Sequence, residues 1–161
     1  MLFRSVFDLL NENVLVNQLK DVTVYNKAVS NKEGKLSFYY DQNQLGTICG
    51  QKQGEVLKVS EVVDTVLLSD YISEEVDFMK IDIEGAEEDV LNELVQKGKL
   101  KMIKEMVIEY HHHIDPNLDR FSQILTLLEK QGFGYQMNTN FSPFTMPKTF
   151  QDILIFAYRK N

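Results

Sequence analysis

Apolar residues along this chain switch between two periods, and the switches mark the elements. Leu2, Phe3, Val6, Phe7 and Leu10 recur at helical spacing, and the polar run 11–13 predicts the end of that helix. Residues 22–29 are rich in β-branched side chains and predict a strand. A turn over 30–34 leads to an alternating strand over 36–40. Residues 41–55 are polar, carry Gly46, Gly50 and Gly54, and read as a loop. Residues 56–63 predict another strand and 66–72 a short helical turn.

From residue 76 onward strand and helix alternate. The apolar run 76–83 reads as a buried strand, followed by a helix that sets Ala86, Val90, Leu91, Leu94 and Val95 on one face, with Gly98 as its stop. Residues 102–110 predict a second apolar strand. Asp115-Pro116 predicts a helix start, with Asp as N-cap and Pro in the first position. Leu118, Phe121, Ile124, Leu125 and Leu128 form that helix's apolar stripe, and Gly132 ends it. Residues 133–137 and 153–158 then read as two strands with no helix between them, which allows an antiparallel hairpin. The alternation predicts a single α/β domain over 1–161 with a parallel sheet.

The densest chemistry lies where strand 76–83 ends. Lys80-Ile81-Asp82-Ile83-Glu84-Gly85-Ala86-Glu87 gains two carboxylates, turns on a glycine and enters a helix. Strand residues i and i+2 point the same way, so Asp82 and Glu84 can project into one crevice. Gly85 permits a sharp turn, and Glu87 falls in the first helical turn, where the macrodipole favours an anion. In an open α/β sheet this carboxyl rim is where ligands bind. Glu109 ends the next strand and can join the same rim, and so can the first of the histidines 111–113. Together Asp82, Glu84 and Glu109 with His111 could hold a divalent metal, but three consecutive residues of an extended chain cannot all face one ion. The plainer reading leaves the histidines in a polar loop and the acids as solvated helix caps. Lys80 shares the face of Asp82 and can pair with it or touch a substrate.

This run resembles the hallmark of the FkbM-family methyltransferases, class I enzymes that use S-adenosylmethionine and mostly methylate hydroxyls of sugars and small natural products. The likeness extends to 22–30 and 32–36 upstream and to Met106-Val107-Ile108-Glu109-Tyr110-His111 downstream. It implies a three-layer Rossmann-like sheet, mostly parallel, closed by a C-terminal antiparallel hairpin. It implies catalytic roles for Asp82, Glu84 and His111, cofactor contact at Ala28 and Asp82, and a site shaped by Lys80 and Glu109. The methyl acceptor would be the hydroxyl of a small molecule or glycan.

The chain departs from the family in one respect. A class I methyltransferase cradles its cofactor with a glycine-rich turn between an apolar strand and a helix, because only glycine allows close backbone approach there. Neither Gly46-Thr47-Ile48-Cys49-Gly50 nor Gly132-Phe133-Gly134 has that context. The resemblance thus predicts a sheet without its first two strands. The chain would then be a fragment inactive alone, or a partner strand would fill the gap, or the sheet would close by direct pairing. The alternative to an enzyme is a noncatalytic remnant that binds or dimerises through exposed sheet edges. A metal-dependent hydrolase is weaker, since no nucleophile motif supports it.

Bulk properties narrow the partners. With 161 residues, 43% hydrophobic and 25% charged, the chain has ordinary globular composition. A net charge of −7 argues against a nucleic-acid partner, which needs clustered Lys and Arg. No apolar stretch approaches a membrane span, and residues 1–4 lack the head and core of a signal peptide. Cys49 is the only cysteine, which excludes an internal disulfide and a thiolate cluster; a cytoplasmic protein is expected. Tyr39, Tyr40, Phe141, Phe144 and Phe150 are candidates for an acceptor pocket, or for plain packing.

Overall fold

A computed structural model describes residues 2–40, 46–47, 51–52, 55–56, 58–115, 117–118, 120–139 and 150–160. Its elements run α1 Leu2–Val16, β1 Ala28–Ser30, β2 Gly34–Tyr40, β3 Gly46–Thr47, β4 Gln51–Lys52, β5 Glu55–Val56, β6 Lys58–Leu67, β7 Val76–Ile81, α2 Glu87–Gln96, β8 Ile103–His112, α3 Phe121–Lys130, β9 Phe133–Thr139 and β10 Gln151–Arg159. A 3₁₀ turn at Leu68–Tyr71 links β6 towards β7, close to the helical turn expected there.

The described strands form two four-stranded mixed sheets and one small pair. The N-terminal sheet has the order β1-β6-β2-β3 and the C-terminal sheet the order β7-β8-β10-β9; β4 and β5 pair with each other. In the C-terminal sheet β7 and β8 are parallel, while β10 runs antiparallel to both β8 and β9. The mixed α/β class and the closing hairpin agree with the sequence. A single sheet spanning both halves is not what the described strands form.

The core belongs to the C-terminal sheet and the two helices on one of its faces. Leu91 and Leu94 of α2, Ile124 and Leu128 of α3, Met106 and Ile108 of β8 and Ile155 of β10 are all fully buried. Both helices have the amphipathic stripe that such burial requires. Arg159 fastens the edge of this body opposite the carboxyl rim. Its guanidinium donates to the carbonyls of Ile103 (3.1 Å), Gln131 (2.5 Å) and Leu100 (2.7 Å), with its centre 3.9 Å above the Phe133 ring.

Several sequence expectations need correction. The helix expected to end at 11–13 continues to Val16, because asparagine costs a helix only a fraction of a kcal/mol (~0.7 at most) and the apolar residues 14–16 follow. It ends instead in a Schellman turn: Gln18 takes a left-handed φ of 52°, and the amides of Gln18 and Leu19 donate to the carbonyls of Leu15 and Val14. Of the strand expected over 22–29 only Ala28 and Val29 pair, as part of β1, since β-branched composition alone supplies no neighbour. The strand expected at 56–63 reaches Leu67, held by β1 and β2 on either side. Asp115 does not cap α3, which starts at Phe121 after an Arg120 N-cap. It closes an Asx turn, accepting from the Asn117 amide at 2.9 Å. Pro116, Cys49, Phe141 and Phe144 lie outside the described residues, as do most of the expected 41–55 loop and the side chain of Tyr40.

Candidate functional site

β7 stops at Ile81, so Asp82, Glu84 and Gly85 lie in the connection to α2. Gly85 has φ 107° and Glu84 has φ 55°, a tight reversal that aims both carboxylates back over the sheet's carboxyl rim. Gly85 takes its φ without strain, whereas Glu84 holds a left-handed conformation that residues with a Cβ rarely adopt. Glu87 opens α2 and folds back: its Oε1 accepts from the Gly85 amide at 3.0 Å. Three acids in the first turn of α2, Glu87, Glu88 and Asp89, suit the positive end of its dipole.

The strand β8 brings the partner group. It carries through Tyr110 to His112, so His111 sits in a strand rather than in the polar loop its neighbours suggested. Glu109 and His111 are two residues apart and share a face, and β10 sets Asp152 directly opposite His111. His111 is 4% exposed. Its Nδ1–H donates to Glu87 Oε1 at 2.8 Å, and Glu87 itself is 1% exposed. This buried hydrogen bond fixes the tautomer and turns Nε2 outward. Nε2 then faces Glu84 Oε2 at 3.6 Å, Asp82 Oδ1 at 3.8 Å and Asp152 Oδ1 at 4.0 Å.

Charge is arranged asymmetrically around that imidazole. Burial works against its protonation, but the hydrogen bond and charge of Glu87, with the charges of Glu84 and Asp152, outweigh it and hold the His111 pKa above its ordinary value. Lys80 stands at the outer side, 2.7 Å from Asp82 Oδ2 and 3.5 Å from Glu109 Oε2. The hydrogen bond to Asp82 chiefly raises its own pKa, so it remains an ammonium that ties the two acids together.

The structure therefore brings Asp82, Glu84 and His111 together, with Glu109 and Lys80 beside them. Ala28 opens β1 in the other sheet, opposite Thr65 of β6. His113 takes a left-handed φ of 57°, and its ring stacks on that of His112 at 3.8 Å. Of the expected pocket aromatics, Phe150 sets its ring 6.1 Å from that of His111. Tyr39 lies in β2 of the N-terminal sheet. Two participants escaped the sequence reading. Glu87 looked like a helix-dipole acid, and Asp152 is distant in sequence; the register of β10 on β8 alone reveals it.

Separate comparisons with curated proteins and with solved structures returned no match. The comparison with protein families did, and it spans the hallmark turn, the strand that carries His111 and most of the remaining chain: residues 4–135 match the Methyltransferase FkbM domain. The chain belongs to the FkbM methyltransferase family.

Proposed function

We propose that this chain is an S-adenosylmethionine-dependent O-methyltransferase domain acting in the cytoplasm on a hydroxyl of a sugar or small natural product. The observation that carries the reading is the buried Glu87–His111 pair at 2.8 Å, which aims Nε2 at the rim where Asp82 and Glu84 converge. A hydroxyl is a poor nucleophile until a base within hydrogen-bond reach takes its proton. His111 offers that base, and Glu87 steadies the imidazolium that forms. Asp82 and Glu84 can accept further hydroxyl hydrogens of a polyol and so orient it, which is most of what an in-line methyl displacement asks of a protein. Glu109 and Lys80 set the outer wall.

When bound, S-adenosylmethionine supplies the electrophilic methyl group. The residues present fit one part of it. Asp82 stands at the rim to hold its polar groups, and Ala28 is the family's adenine contact by position. A glycine-rich turn between an apolar strand and a helix does not occur in the sequence, so these 161 residues are expected to hold the cofactor weakly. No membrane-crossing helix is present among the described residues.

Calorimetric titration with S-adenosylhomocysteine, paired with methyl transfer to a panel of hydroxyl acceptors, tests this. Binding that Asp82→Ala weakens at least tenfold, with methylated product that His111→Ala abolishes, supports it. A folded chain that neither binds nor transfers overturns the enzymatic reading for this chain.

One observation favours a second reading, a noncatalytic module that pairs through its sheet. Among the described strands β7 is bonded only to β8, and Phe78 on it is 54% exposed. An open edge with an exposed aromatic is a template for another chain. Light scattering would then detect a dimer that Phe78→Lys dissociates; a monomer at all concentrations removes this reading.

A further inference from the structure

The cluster has the donor set of a metal centre as well as that of a base. We propose that Asp82, Glu84 and His111 Nε2 form a binding site for a first-row transition-metal dication. The inference deepens the methyltransferase reading and rests on the same cluster of side chains.

The three groups present ligand atoms that all lie within 4.8 Å of one another. An ion with ligand bonds of ~2.1 Å needs its ligand atoms roughly 3.0–3.5 Å apart. His111 Nε2 stands 3.6 Å from Glu84 Oε2 and 3.8 Å from Asp82 Oδ1, so the two edges that meet at the imidazole close with a few tenths of an ångström.

His111 makes this more than a group of acids. Its side chain is 4% exposed, yet the carboxylate oxygens that Nε2 faces stand beyond hydrogen-bond range. An imidazole held through Nδ1 by a buried carboxylate, with Nε2 aimed at two more carboxylates, is the arrangement metal-ligating histidines adopt. The outer carboxylate sets the tautomer and raises the ligand's basicity. Glu87 occupies that outer position.

Lys80 contributes by engaging Asp82 through Oδ2 at 2.7 Å, which leaves Oδ1 as the oxygen that faces His111. Two carboxylates balance a dication's charge. The nitrogen donor selects a transition ion such as zinc over magnesium, which prefers an all-oxygen shell. Both carboxylates remain partly exposed, Asp82 by 34% and Glu84 by 30%, so coordination positions stay open to solvent or to an acceptor hydroxyl. A hydroxyl bound there would lose its proton more readily than a free one. In the loaded state Nε2 would be taken up by the ion, and the released proton would pass to solvent water at the open side of the site.

The test uses chelator-stripped chain and zinc alone, with no methyl donor, so its failure is separable from failure of methyl transfer. Calorimetry should find one zinc per chain. Glu84→Gln and Asp82→Asn should each weaken binding at least tenfold, and Glu87→Gln should weaken it by ~10–100-fold. His113→Ala should change nothing. Cobalt(II) in place of zinc should give a visible absorption band that His111→Ala removes. If His111→Ala does not fold by circular dichroism, the two solvent-facing carboxylate variants carry the test. Absence of stoichiometric zinc binding by folded chain would overturn the proposal. So would zinc binding indifferent to Glu84→Gln and Asp82→Asn, zinc lost with His113→Ala, or magnesium bound as tightly as zinc.

Discussion

The two faces of the C-terminal sheet are built from the same strands and differ in almost everything else. One presents Met106, Ile108, Ile153, Ile155 and Ala157 to α2 and α3, and each of these is at most 5% exposed. The other presents Phe78, Leu154, Phe156 and Tyr158, between 36% and 54% exposed, together with Lys80, Glu105 and Glu109. Strand alternation alone creates this division, since neighbouring residues of β8 and β10 point to opposite sides. The candidate site lies at the rim of the open face. Its His111 bonds Glu87 at the start of α2 and lies beside the Phe150 ring. The covered face makes the domain a stable body; the open one leaves apolar surface and the chemical groups together, within reach of a ligand or partner.

The largest effect should come from the covered face. Ile108→Ala removes a fully buried side chain between the helices and β10, and should destabilise the chain by about 2–5 kcal/mol in urea denaturation. A cost below about 1 kcal/mol would mean that this face is not close-packed. Next is Arg159→Ala. It strips three carbonyls of a charged donor and a ring of its cation, and about 2–3 kcal/mol should be lost. Arg159→Lys should recover only part of this, because an ammonium cannot reach three divergent carbonyls in one plane. Equal stability of the lysine variant and the parent would show that the fork geometry is irrelevant.

Smaller in stability but closer to the chemistry is Glu87→Gln. Glutamine can still accept from the Gly85 amide, so α2 should start where it does now. The charged partner of His111 is lost, at about 1–2 kcal/mol. The informative readout is the His111 imidazole by NMR: its pKa should fall, since Glu87 is the strongest of the influences that raise it. An unmoved titration would place the control of His111 in Glu84 and Asp152 instead.

What could be read from sequence follows the same division. The covered face was legible because it is periodic: the stripe of α2 and its Gly98 stop, the stripe of α3 without Leu118, which lies before the helix and is exposed, and the alternation of the last two strands are all local patterns. The hallmark 80–87 located the rim for the same reason. What stayed hidden depends on long-range register. Asp152 meets His111 only through the antiparallel pairing of β10 with β8, and Glu87 meets it across α2 and β8. Three histidines in a row looked like a loop, because hydropathy cannot tell a strand that dips into a polar site from one that has ended. The near-absence of a strand over 22–29 is the converse failure, where β-branched residues had propensity but found few neighbours to pair with.

The smallest expected effect discriminates best between the two faces. Phe156 sits on β10 opposite Val107, is 36% exposed, and its ring lies 6.4 Å from that of Tyr158. If the open face is open in solution, Phe156→Ala removes a ring already wet on one side and leaves no cavity. The cost should then be within about 1 kcal/mol, far below that of the neighbouring Ile155→Ala on the covered side. The measurement is denaturation of both variants at two protein concentrations differing by about a hundredfold. A concentration-independent midpoint with a small Phe156 penalty means that the face is free. A Phe156 penalty that grows with concentration would mean that another copy covers this face, because association stabilises by mass action. In that case the difference between the faces would exist only in the isolated chain, and the site at the rim would lie at an interface between copies.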